Sequence, residues 1–146
     1  MKSSKLLLTA MLFCLTICLT GCVDKVIPPA EAPTQITDFV SKHFPTQAIT
    51  FIKKDTEVIG TTYEVTLSNG TEIDFDSDYM WDMVDCKIAA VPAVLVPEAI
   101  ATQVQTNYPG ALIVKIDKER YGFDIELNNN LDLKFNPQGA IIEVDN

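Results

Sequence analysis

The sequence predicts an α+β fold: two tandem helix-plus-four-stranded antiparallel units forming one curved sheet with the helices on one face. Three observations predict it. First, the chain repeats itself. Pro33, Ile36, Val40, Phe44, Pro45, Ile49, Ile52 and Lys54 recur 64 positions later as Pro97, Ile100, Val104, Tyr108, Pro109, Ile113, Ile116 and Lys118. Leu67, Asn69, Phe75, Val84 and Asp85 recur 60 positions later as Leu127, Asn129, Phe135, Val144 and Asp145. Second, each copy opens with an apolar stripe at helical spacing that a proline stops. Third, each then alternates apolar and polar residues with turn residues between the runs. The change of offset predicts a shorter turn in the second copy, Lys118 to Gly122 in place of Lys54 to Thr62, because loops absorb length changes more readily than strands.

In chain order, Lys2 and Lys5 precede a run from Leu6 to Leu19 that carries no charge. That order is a secretory signal, too short to span a bilayer comfortably. It ends Leu19-Thr20-Gly21-Cys22, which resembles the lipobox of bacterial lipoproteins. The resemblance implies cleavage before Cys22 and lipid on its thiol, so residues 1–21 are the signal peptide. Two or three acyl chains anchor stably where one does not. Residues 22–32 are then the lipidated cysteine and a tether; Pro28-Pro29 and the lack of hydrophobic period predict a semi-extended spacer.

Eleven basic and 20 acidic residues give a net charge of −9. Losing Lys2 and Lys5 takes the mature chain to −11. Such a surface excludes nucleic acid as a partner and gives no electrostatic attraction to anionic lipid. Cys14 and Cys18 leave with the signal and Cys22 is lipidated. Cys86 remains alone, so no intramolecular disulfide can form.

The first unit spans 33–85. Ile36, Phe39, Val40 and Phe44 draw its helical stripe. Tyr63, Val65 and Leu67 alternate with polar residues, Ser68-Asn69-Gly70 turns the chain, and Ile73 and Phe75 alternate back. Residues 86–96 link it to the second unit, 97–146. There Ile100, Val104 and Tyr108 repeat the stripe, and Phe123, Ile125 and Leu127 lead through Asn128-Asn129-Asn130 to Leu131, Leu133 and Phe135.

Pro33-x-x-Ile36-x-x-Phe39, His43-Phe44-Pro45 and the run from Tyr63 to Asp76 resemble the PepSY-like family of exported bacterial proteins. So does the join from Val91 to Pro97, with Tyr108-Pro109-Gly110. The resemblance covers Pro33 to Asp145 and implies a fold similar to β-lactamase inhibitor protein, with a concave sheet as binding surface. It implies an inhibitor or partner-binding role rather than a reaction. Tyr79 and Asn130 stand where the pattern usually has glycine.

Asp74, Asp76, Asp78, Asp82 and Asp85 fall at positions 1, 3, 5, 9 and 12 of a calcium-loop spacing. Position 6, which the sharp turn needs as glycine, is Tyr79, and the second copy has Lys134, Asn136 and Gln138 at the matching places. The expectation is a solvated hairpin and no metal. His43 is the sole histidine and has no specifically placed carboxylate or amide to orient it toward Cys86, so nucleophilic catalysis is not expected. No motif implies a cofactor. If Val84 and Val144 point to the core, strand parity places Tyr79, Trp81 and Met83 on the open sheet face, with Phe51. These four are the candidate partner-binding residues, aromatic and methionine anchors in an acidic surround.

The function these readings support is a non-enzymatic binding module, anchored to a membrane through Cys22. The membrane expected is the outer one, with the protein facing the periplasm or the cell surface. It would hold an exported protein or peptide, inhibition of an exported enzyme being one form. The alternatives are a calcium-binding structural lipoprotein and a carrier of a small ligand or peptide. Replacing the lipobox cysteine, Cys22→Ala, should leave an uncleaved precursor without lipid; labelled lipid on mature variant protein would refute the anchor.

Overall fold

The computed structural model describes residues 24–145, so the signal peptide and Cys22 lie outside the described residues. Nine strands follow one another across a single sheet in chain order, each antiparallel to its neighbours. They are β1 (Lys25–Ile27), β2 (Ile49–Glu57), β3 (Gly60–Leu67), β4 (Glu72–Phe75), β5 (Trp81–Asp85), β6 (Ile113–Glu119), β7 (Gly122–Leu127), β8 (Asp132–Phe135) and β9 (Ile141–Asp145). Helix α1 (Thr34–His43) lies between β1 and β2 in sequence, and α2 (Glu98–Asn107) between β5 and β6. The fold is α+β with an open antiparallel sheet.

One aliphatic row crosses every strand. Ile27 stands opposite Ile52, Ile52 opposite Val65, Val65 opposite Ile73 and Ile73 opposite Val84. The row continues through Ile116, Ile125 and Leu133 to Val144. All but the last are buried. Mostly β-branched residues suit a pleated surface, and cross-strand neighbours at this spacing pack directly. Each contributes about 1.5–3 kcal/mol when fully buried.

The helices close this face. Ile36 and Val40 of α1, and Ile100 and Val104 of α2, are buried in the same core as the row. Phe39 meets Phe75 edge-on at 5.3 Å. Pro33 and Pro97 precede the first helical residues, and the amides of Phe44 and Tyr108 each donate to the carbonyl one turn back, Val40 and Val104, at 2.8 Å.

Two sequence expectations change. The tether is not wholly a spacer: Lys25–Ile27 joins the sheet because Ile27 extends the aliphatic row, and Pro29–Glu31 is a turn of 3-10 helix. The extra residues between Lys54 and Thr62 are also not loop. They lengthen β2 and β3 to a two-residue tip, with Glu57 opposite Gly60. The second hairpin closes the same way, Glu119 opposite Gly122, but two residue pairs sooner. Lengthening both strands equally keeps the register, so a strand pair can absorb four residues that a single strand could not.

Candidate functional site

Pleating sends every second side chain to the face away from the helices. That face carries Phe51, which is 39% exposed, and then Lys53 and Asp55 of β2. Glu64, Asp74, Met83 and Asp117 lie across the neighbouring strands, in a register that pairs Lys53 with Glu64, Glu64 with Asp74, Asp74 with Met83, and Met83 with Asp117. Lys53, Asp55, Glu64, Asp74, Met83 and Asp117 line a concavity of about 300 Å³. Lys53 reaches Asp24 at 3.3 Å and Glu64 at 3.9 Å, and Lys115 partly offsets Asp74 and Asp117. Asp74 Oδ1 and Asp55 Oδ1 are buried without a hydrogen-bond partner. Burial, reinforced by Glu64 and Asp117, pushes the Asp74 carboxyl up to about 6.

The four aromatic and methionine candidates do not share this face. Phe51 and Met83 do; Tyr79 and Trp81 do not. A bulge between Asp74 and Phe75 skips Asp82, so Trp81 stands opposite Phe75 and both rings belong to the core side. One extra residue reverses parity, which is why simple alternation misplaced them. The Lys118 ammonium sits 3.6 Å from the Trp81 ring centre and donates to the Trp81 carbonyl at 2.5 Å. Burial lowers its pKa. Tyr79 packs its ring 5.8 Å from that of Tyr63. The concavity's carboxylates, which sequence reasoning missed as a site, are the polar half of the same alternation.

One aspartate of the calcium-loop spacing, Asp76, closes a turn. Asp76 Oδ1 accepts the amides of Asp78 at 2.9 Å and Met80 at 2.8 Å, closing the β4–β5 turn. Asn136 Oδ1 accepts those of Gln138 and Ala140 in the β8–β9 turn, a twin built without a carboxylate. Tyr79 and Asn130 both have positive φ, 62° and 64°, as do the glycines 60 positions away from each, Gly139 at 81° and Gly70 at 85°. Asp74 and Met83 face away from that turn, on the open face. His43 rests its ring 4.6 Å from Phe39, and burial lowers its pKa. Cys86 is buried, and burial pushes its thiol up, away from the thiolate a nucleophile needs.

The family profile described provisionally as beta-lactamase-inhibitor-like, PepSY-like matches residues 19–68 and 61–143. The chain belongs to the PepSY-like family. No curated protein matches it. Among solved structures, this PepSY-like chain is similar to a protein of unknown function from Bacteroides vulgatus, at 30% identity and a TM-score of 0.79, covering 85% of this chain and all of that one. It is similar to a Bacteroides thetaiotaomicron protein at 33% identity and 0.78, covering 84% and 97%. A second Bacteroides vulgatus protein stands at 35% identity and 0.78, with the same coverage. All three are provisionally described as periplasmic, and the Bacteroides thetaiotaomicron protein also as calcium-regulated.

Two outcomes follow from these placements. Trp81→Ala should lower stability by about 2 kcal/mol, less than for a fully buried ring because Trp81 is only partly covered. Emission of the parent, whose sole tryptophan is Trp81, should be blue-shifted; a water-like spectrum and an unchanged melt would return the residue to the open face. Asp74 holds a proton more tightly folded than unfolded, since its pKa rises from 3.8 to about 6. Its contribution is therefore full at the acid end and is lost as pH rises through 6. Asp74→Asn should melt above the parent near pH 8, by about 1 kcal/mol after discounting for solvent screening. The gap should close toward pH 4; equal melts at both ends would refute the shift.

Proposed function

We propose that this PepSY-like chain is a non-enzymatic binding module of the bacterial envelope. It is anchored by lipid on Cys22 and holds another exported protein or peptide on the open face of its sheet. Inhibition of an exported enzyme is one form this takes. The observation that carries the reading is the uncovered face itself. The helices close one side of a nine-stranded sheet, and the other presents Phe51, Met83 and a carboxylate-lined concavity. A face with large apolar anchors in a polar surround fits protein recognition better than catalysis. Export is supported by the signal segment and by relatives described as periplasmic.

The two halves are read as copies of one unit. Supporting this, the bulge between Asp74 and Phe75 has a twin between Lys134 and Phe135. The bulge between Ile49 and Phe51 has a twin between Ile113 and Lys115. The β3–β4 and β7–β8 turns also close alike: Leu67 bonds to Thr71 in one, and Leu127 to Leu131 in the other.

With Tyr79 and Trp81 on the core side, Phe51 and Met83 are the anchors proposed. The test compares parent, Phe51→Asp and Met83→Asp in cross-linked capture from envelope extract, followed by a melt of each protein. Capture of the principal partner should fall at least about tenfold, with stability changed by less than about 1 kcal/mol. Undiminished capture by both variants would defeat the open-face reading. The calcium alternative has the description of the Bacteroides thetaiotaomicron relative in its favour, but Asp76 is already committed to turn amides.

A further inference from the structure

The β2–β3 hairpin breaks a local rule. A two-residue turn between antiparallel strands stands in water and ordinarily carries small or polar residues such as Asn, Asp, Ser or Gly; here the positive φ, 147°, falls on Gly60 rather than on the tip. Here the tip is Val58-Ile59, 99% and 90% exposed. No core contact repays that choice, and exposed aliphatic residues on an extended hairpin invite association. A broken local rule without a gain in the folded chain marks a functional position. The second hairpin, closed by the same geometry, has Arg120-Tyr121 at its tip and two fewer residue pairs, so the first reaches about 7 Å further.

The register shows where this tip points. β1 runs antiparallel to β2, with Ile27 opposite Ile52 and Lys25 opposite Lys54. Toward Asp24 the chain therefore advances in the direction in which β2 climbs to Glu57. Cys22 is two residues beyond Asp24, within about 7 Å along the chain. The β4–β5 and β6–β7 connections return at this same end of the sheet. They bring Met80, 58% exposed, and Tyr121, 39% exposed, beside the chain's sole arginine, Arg120.

We infer that this end of the sheet docks on the bilayer surface, with Val58 and Ile59 entering the headgroup–acyl boundary beside the lipidated Cys22. The inference rests on the lipid-anchor reading and adds an orientation to it. The occupant is lipid rather than protein because the tip lies at the end from which the lipid-bearing segment leaves. The contact is apolar rather than electrostatic, since a chain of net charge −9, and −11 once mature, is not drawn to anionic headgroups. Tyr121 and Arg120 are residue types that settle at the interface, an amphipathic ring and a cation with a long apolar stem. Seated this way, the sheet stands on its hairpin tips and both of its faces stay clear of the membrane.

The test uses the lipidated mature chain in vesicles of phosphatidylethanolamine and phosphatidylglycerol. Ile59→Cys supplies an accessible thiol, as Cys86 is buried and Cys22 is acylated. A second protein carries Ile88→Cys, at a site 89% exposed and following β5 at the opposite end of the sheet. Each receives an environment-sensitive fluorophore and is mixed with lipid bearing brominated acyl chains. Quenching several-fold stronger at 59 than at 88 is expected, with Val58→Cys matching Ile59→Cys. Equal, weak quenching at both ends in protein that floats with the vesicles overturns the docking while leaving the anchor intact. Protein that does not float at all overturns the anchor, and the docking with it.

Discussion

The aliphatic row from Ile27 to Val144 is the constraint on which the rest of the structure depends. It requires each of nine strands to present one apolar residue to the same face in one register, since a slip of one residue would turn that strand's whole apolar set toward water. Both helices lie on that face and add their own stripes to its core. The row also explains β1. Three residues would not hold an extended conformation alone, but Ile27 opposite Ile52 completes the row at the N-terminal edge of the sheet.

Satisfying the row leaves the alternate residues on the other face with nothing to pack against. There the chain places carboxylates faster than it places lysines, so Asp74 sits among Glu64, Glu72 and Asp117 with only Lys115 to offset them. Its carboxyl holds a proton into the mildly acidic range as a consequence of this crowding and of partial burial. The bulges serve the opposite side. By removing Asp82 from the alternation, the first one returns Trp81 to the core side, where the Lys118 ammonium covers its ring.

Different parts of one sheet thus carry different tasks. The helix face supplies stability, the open face is the surface proposed for recognition, and the hairpin end nearest the N-terminal segment is the one proposed for attachment. An antiparallel meander suits this division, because it returns every second connection to the same end.

Much was decided by local pattern alone. The α+β class, the helices that end before Pro45 and Pro109, the turns after Leu67 and Leu127, and the PepSY-like family follow from periodicity, turn chemistry and motif order, which act over a few residues. The open-face positions of Phe51 and Met83 were also legible, because no bulge separates them from the buried neighbours that set their parity. What tertiary structure decided is what depends on pairing at a distance. Ile27 joins the sheet because Ile52 is opposite it. The extra residues of the first hairpin became strand because both partners lengthened together. Trp81 and Tyr79 turned to the core side because Phe75 and Tyr63 stood there to receive them. Alternation along one strand cannot reveal an unpaired residue, since a bulge is defined only against its partner strand.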